Sequence, residues 1–105
     1  MAVRMRITNE VIYGHYPQFA EIAEALESLL GQRGWTTGSL WMPLAGKSNV
    51  IVYEREFDDL AHLEREVRAF QSDAEATELF RELASHLVQG SGHSELLVAA
   101  PVASP

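Results

Sequence analysis

The chain has 105 residues, the length of one domain, and nearly half of them are apolar, so a packed core is within reach. Fifteen acidic residues against eight basic ones give a net charge of −7, a surface that repels phosphate backbones and anionic lipid. Neither nucleic acid nor membrane is therefore expected as a partner. The absence of cysteine excludes a disulfide scaffold, a thiolate metal site and a cysteine nucleophile.

The first element is a strand. From residue 4 to residue 13, Met5, Ile7, Asn9, Val11 and Tyr13 alternate with Arg6, Thr8, Glu10 and Ile12. The opening Met1-Ala-Val-Arg-Met-Arg6 lacks the apolar core of a signal peptide, and no run of about 18 apolar residues follows. A cytoplasmic protein is expected.

Gly14 breaks the alternation, and Pro17 suits the first turn of a helix. From Pro17 to Gln32 the period becomes helical: Phe19, Ile22, Ala23, Leu26, Leu29 and Leu30 form one stripe, which Gly31 and Gly34 terminate. A second strand is predicted from Trp35 to Leu44, with Trp35 and Trp41 on one face and Leu40 and Met42 on the other. Pro43 confines it to an edge or an end. Ala45 to Asn49 is a turn, and Val50 to Phe57 a third strand, completing a hairpin.

Asp58 and Asp59 open a second helix, with Leu60, Leu63, Val67 and Phe70 as its buried stripe. Ser72-Asp-Ala-Glu75 has the form of a capping box, which predicts a break near Gln71 and a fresh helix to about Gln89. That helix is expected to bury Ala76, Leu79, Phe80, Leu83, Leu87 and Val88. Ser94 to Ala100 is a last strand, and residues 101–105 a loose tail.

This order, βαββαβ, predicts one ferredoxin-like α+β domain over residues 1–105. Its four-stranded antiparallel sheet has the order 4-1-3-2, with the helices on one face. Apolar side chains occur on both sides of the predicted strands, and a sheet apolar on both sides needs a layer on each. The expected second layer is the sheet of another copy, giving a homodimeric α+β barrel.

Val11-Ile-Tyr-Gly14, Gly34-Trp35, Pro43-Leu-Ala-Gly46 and Asn49-Val-Ile-Val-Tyr-Glu54 carry a resemblance, continued by Phe57-Asp-Asp-Leu60 through Asp73 to Leu96-Leu97. On these stretches the chain resembles the NIPSNAP-like branch of the dimeric α+β barrel superfamily. The resemblance implies the fold, the homodimer and a hydrophobic small molecule as ligand. The superfamily includes cofactor-independent monooxygenases, polyketide cyclases, isomerases and heme-degrading oxygenases, and fold alone does not choose among them. The heme-degrading relatives carry an Asn on the first strand, with a Trp and an axial His on the second helix. Asn9 matches the first. The second helix has no Trp and only His62, near its start, while Phe70-Gln-Ser-Asp73 occupies the axial position. Heme is not expected, and neither is any other cofactor or a metal.

Candidate acid–base groups remain. His15 follows the first strand and His93 precedes the fourth, its antiparallel neighbour in the expected fold. Tyr13, Tyr16 and Trp35 are expected near the same rim. An imidazole near its ordinary pKa of about 6.5 could remove a proton from an acidic phenol or a 1,3-dicarbonyl carbon. That step starts cofactor-free oxygenation, cyclisation or isomerisation. Glu10 is either a general base with a raised pKa or the partner of Arg55 in a cross-strand ion pair. Asn9, Trp35, Trp41 and Tyr53 are the candidates for holding a flat aromatic or polyketide-like ligand. The catalytic set is thus His15, His93, Tyr13 and Glu10. The alternatives are a non-catalytic binding or accessory dimer of the same fold, or a dimer whose barrel is filled by side chains. Gly46-Lys47-Ser48 lacks the leading glycine of a phosphate loop and is a hairpin turn.

Overall fold

The computed structural model describes residues 1–101. The strands β1 (Val3–Glu10), β2 (Ser39–Trp41), β3 (Val50–Phe57) and β4 (His93–Val98) form one antiparallel sheet in the order β2-β3-β1-β4. The helices are α1 (Tyr16–Gln32), α2 (Leu60–Gln71) and α3 (Ala74–Ala84). This is the predicted α+β ferredoxin-like arrangement, with the second helix divided as its sequence implied. The expected tail falls largely outside the described residues.

β1 lies at the centre, paired with β3 from Val3↔Phe57 to Glu10↔Val50 and with β4 from Val3↔Val98 to Thr8↔His93. The helices pack on the face that carries Val3, Met5, Val11, Ile51 and Phe57. Phe57, Val3 and Leu63 form one core cluster, and Val11, Phe19 and Ile51 the other.

Local chemistry sets the helix ends. The α1 terminus is a Schellman motif: Trp35 N–H reaches the Leu30 carbonyl, Gly34 N–H reaches Gly31, and Gly34 takes the positive φ of 74° that this turn requires. Asp59 caps α2 by accepting from His62 N–H at 2.7 Å. Asp73, rather than Ser72, caps α3 by accepting from Ala76 N–H at 3.0 Å. Ser72 instead closes α2.

Three expectations need correction. β2 spans three residues rather than ten. The backbone before it is satisfied by helix carboxylates: Thr36 N–H donates to Glu66 at 2.8 Å, and Gly38 N–H donates to Glu27. With those donors taken, no sheet ladder forms there. Trp35 and Trp41 consequently separate. Trp35 packs against Phe70, with ring centroids 6.3 Å apart, while Trp41 stands opposite Val52 on the helix-free face.

Second, α3 stops at Ala84, well before Gln89. The chain leaves the helix to lie beside the end of β1, with Ile12 N–H to His86 O at 2.9 Å, Val88 N–H to Glu10 O at 2.8 Å, and a bridge between Val11 and Leu87. Phe80 and Val88 are therefore exposed rather than buried.

Third, the helix-free face is more polar than expected. Trp41, Val50, Val52 and Leu97 share it with Arg4, Arg6, Glu54, Glu56 and Glu95. Both arginines are partnered across strands: Arg6 to Glu54 at 2.7 Å and Arg4 to Glu56 at 3.3 Å.

Candidate functional site

The helical layer stops short of β4, leaving Leu96 and Val98 half exposed. Between α3 and this side of the sheet lies a cleft of about 470 Å³. Phe80 and Ala84 of α3, Leu87 and Val88 beyond it, and Asn9 of β1 line the cleft, together with Ser85, Gln89 and Gly92. The volume falls within the range of small-molecule sites, about 300–1,000 Å³. The segment after α3 is fixed here by Ser91, whose hydroxyl accepts from Glu10 N–H and donates to Val88 O. A Cβ on Gly92 would collide with Asn9 Oδ1, so a glycine is what lets this loop lie against the Asn9 carboxamide.

A smaller cleft of about 180 Å³ lies across the Val11–Leu87 bridge, between the turn after β1 and the β2–β3 loop. Tyr13, Tyr16, Met42, Ser48 and Asn49 border it. Asn49 Nδ2 donates to the Val11 carbonyl at 3.0 Å, while its buried Oδ1 has no partner.

The predicted site residues divide among several places. Asn9 is on the larger cleft and Tyr13 on the smaller. His15 and His93 are not paired. His93 stands opposite Thr8 on the exposed, helix-free face, whereas the His15 Nδ1 meets the Nδ1 of His86 at 3.0 Å. Glu10 pairs with Lys47 at 2.7 Å, not with Arg55, because Arg55 occupies the opposite side of the sheet. The Lys47 hydrogen bond holds the Glu10 carboxyl below the usual range, opposite to the direction a general base near neutrality needs. Trp35 lies against Phe70 and away from the tyrosines of the rim.

Tyr53 belongs to a closed polar network on the helix side of β3. Its hydroxyl donates to Glu27 at 2.6 Å. Burial, reinforced by the Glu27 carboxylate, pushes the phenol well above its ordinary value, so it remains a protonated donor. Nearby, Glu66 accepts from Thr36 N–H and from Thr36 Oγ1 at 2.7 Å, and contacts His62 Nε2 at 2.7 Å. Burial pushes the Glu66 carboxyl upward, but the bonds from Thr36 and His62 together bring it below the ordinary value. Arg55 donates to Thr36 O at 3.3 Å and stacks over the Phe57 ring, its guanidinium carbon 5.1 Å from the centroid. These groups mostly serve one another, although the buried Arg55 Nε has no partner, and none borders either cleft. Among the described residues there is no cluster of three or more His, Cys, Asp or Glu side chains placed to hold a metal ion.

Sequence reasoning missed Phe80 and the segment from Ser85 to Gly92, because the apolar stripe of α3 continues through Leu87 and Val88 as though the helix did. The signal that was present is Gly90-Ser-Gly92, next to a strand whose Asn9 needs a neighbour without a Cβ.

A NIPSNAP domain protein from Burkholderia xenovorans superposes with a TM-score of 0.78 at 23% identity, covering 100% of both chains. The chain has a NIPSNAP-like fold. A NIPSNAP family protein from Agrobacterium tumefaciens matches at TM-score 0.77 and 8% identity, over 97% of this chain and 89% of that one. SnoaB from Streptomyces nogalater, a cofactor-independent oxygenase, matches at TM-score 0.73 and 13% identity, over 96% and 95% of the two chains. At these identities the likeness is one of fold. No protein-family profile and no curated protein matches the sequence. Among the described residues, no helix of this NIPSNAP-like domain is long and apolar enough to cross a membrane.

Proposed function

We propose that this NIPSNAP-like domain holds a flat, hydrophobic small molecule between α3 and the sheet. The observation that carries the reading is the cleft itself: apolar walls of Phe80, Leu87 and Val88, with the carboxamide of Asn9 at the sheet and the polar side chains of Ser85 and Gln89 on the segment after α3. Apolar walls supply affinity, while a few polar groups fix orientation. A ligand with a carbonyl or phenol oxygen at its edge suits Asn9, whose Nδ2 donates and whose Oδ1 accepts. The test is calorimetric titration with fluorenone, a flat tricyclic ketone without a titratable group. Saturable one-to-one binding, weakened at least tenfold by Phe80→Ala, is expected. Absence of saturable binding overturns the reading.

A catalytic version draws support from Asn9 and from the oxygenase that shares the fold. A carboxamide N–H can stabilise the enolate oxygen of an anthrone-type ketone. Dioxygen then converts the activated CH₂ to C=O, with the second oxygen atom leaving as water. The residues lining the cleft include no acid or base. The substrate must therefore be acidic enough to lose its proton to solvent, and His15, His93, Tyr13 and Glu10 would act only from outside the cleft. Oxygen uptake with anthrone, abolished by Asn9→Ala, is the expected signature. Uptake equal to the uncatalysed rate leaves a non-catalytic binding protein.

The same proposal includes a homodimer formed through the helix-free face. Its arginines are already neutralised by carboxylates across the strands, so covering the face with a second copy strands no arginine charge. Trp41, 58% exposed there, is the natural anchor. Sedimentation is expected to give twice the 11.7-kDa chain mass, returning to a single chain in Trp41→Glu. A single chain in the unsubstituted protein at micromolar concentration overturns the pairing.

A further inference from the structure

The two walls of the α3 cleft differ in what they offer a hydrogen bond. On the sheet side, Asn9 turns its Oδ1 onto Gly92, against the place a Cβ would fill. Oxygen is the atom that suits this contact, since an amide N–H there would meet only carbon-bound hydrogen. The Nδ2, which makes no hydrogen bond among the described residues, is the part of Asn9 left to the cleft it lines. On the helix side, the lining residue Ser85 is the C-cap of α3. Its hydroxyl carries one hydrogen, and that hydrogen is spent on the Glu82 carbonyl at 2.6 Å. The oxygen keeps only its lone pairs. The sheet wall is therefore a donor and the helix wall an acceptor.

The backbone enforces the same polarity. Ser85 stands at the carbonyl end of an 11-residue helix, where aligned peptide dipoles leave partial negative charge. A ligand carbonyl or carboxylate is repelled there, and a polarised O–H is attracted. Ser91, the other hydroxyl of this segment, is already committed: it accepts from Glu10 N–H at 3.0 Å and donates to Val88 O at 2.7 Å. Gln89 can turn either end of its exposed carboxamide to a ligand, and so selects neither. We infer that the cleft reads a ligand's direction: it takes a flat aromatic ketone that also carries a hydroxyl, with the carbonyl on Asn9 and the hydroxyl on Ser85. The inference rests on the cleft being the binding site, and it adds Ser85 as the residue that sets specificity. The hydroxyl enters as the neutral group, because the chain's net charge of −7 and the helix end both oppose its anion.

A cleft of this polarity ranks a simple series of probes. Fluorene has no polar group, fluorenone has an acceptor only, and a hydroxyfluorenone has an acceptor and a donor. Calorimetric titration should give affinities rising in that order. The 2-, 3- and 4-hydroxy isomers differ in how far the hydroxyl lies from the carbonyl, so the gain should be uneven among them. The best isomer should bind at least about fivefold tighter than fluorenone, the return of one added hydrogen bond. That ratio, measured within each protein, should fall to within about twofold in Ser85→Ala, where the acceptor is gone. Ser85→Thr should keep it, since a threonine hydroxyl can make the same bond back to the helix carbonyl. If no member of the series saturates, the cleft reading falls and this inference falls with it. If fluorenone binds but no isomer gains, or all three gain equally, the cleft reading stands and the inference is overturned. A ratio in Ser85→Ala as large as in the unsubstituted protein also overturns it. Should Ser85→Ala not fold, the methyl ether of the best isomer decides on the unsubstituted protein. The ether keeps the oxygen and loses the hydrogen, so retention of the full gain overturns the inference.

Discussion

The two halves of the helix-covered face are built on opposite principles. Beneath β2 and β3, Glu27, Tyr53, Thr36, Glu66, His62 and Arg55 engage one another. Beneath β1 and β4, the helical layer recedes, Phe80 and Val88 are exposed, and a cleft opens beside Asn9. The lesson is that concentration of polar chemistry does not locate a binding site. A buried network whose members mostly engage one another is fastening, whereas an apolar wall with a few free polar groups is where a ligand gains most.

Substitutions that separate fastening from binding break or sharpen this contrast. The largest effect is expected at Gly38, where an added Cβ would lie within van der Waals radii of the Glu54 carbonyl and of the Arg55 and Tyr53 side chains. A backbone oxygen in a sheet cannot step aside. Gly38→Ala should therefore cost more than about 3 kcal/mol in urea unfolding, or prevent folding. A cost below about 1 kcal/mol would show that the fastened half is looser than it looks.

Tyr53→Phe should cost about 1–2 kcal/mol, since it removes the donor at 2.6 Å from a part-buried Glu27 contact. Glu66 adds a pH dependence of definite sign. Its carboxyl is lower in the folded chain than its ordinary value near 4.3. Its contribution is thus complete above that value and is lost as the pH falls through the folded one. Glu66→Gln should be less stable at neutral pH and flatten the stability profile below about pH 4.3, measured by thermal unfolding across the acid range. A profile as steep as that of the unsubstituted chain would assign the acid loss to other carboxylates.

Gly92→Ala is the converse case. Its Cβ meets the tip of the Asn9 side chain, which can rotate away, rather than backbone. Stability should change by less than about 1 kcal/mol, while fluorenone affinity drops by about tenfold as the carboxamide is displaced. Loss of stability without loss of affinity would place the ligand elsewhere.

What the sequence discloses follows from how locally each feature is encoded. Strand alternation, the stripe of α1 and the hairpin are short-range patterns, so the element order and the sheet order were legible, with β3 correct at both ends. The end of α3 was not, because Leu87 and Val88 continue a helical stripe while their backbone bonds go to β1, a partner some 75 residues away. The same blindness paired His15 with His93. Strand order made their ends neighbours, but pleat direction sends His93 to the opposite face, and only the early end of α3 brings His86 to His15. Asn9 stood among the candidates because the resemblance pointed to a first-strand asparagine. Phe80 was not, since exposure of an apolar stripe depends on where neighbouring helices stop.

The smallest effects belong to the helix-free face, and they bear on the second copy. Arg4 and Glu56 are 3.3 Å apart with both side chains about half exposed, 51% and 57%. In an isolated chain a double-mutant cycle on such a pair should return no more than about 0.5 kcal/mol, and salt should screen part of that. Arg6 and Glu54 sit closer, at 2.7 Å, with the carboxylate only 20% exposed, and their coupling should approach about 1 kcal/mol. Covering the face with another copy removes water from both pairs and strengthens both couplings. Measured across a dilution series, each coupling should therefore rise with protein concentration if the homodimer forms, the Arg4 pair from near zero. Couplings that stay constant while the chain is diluted through the micromolar range would mean that this face remains in water.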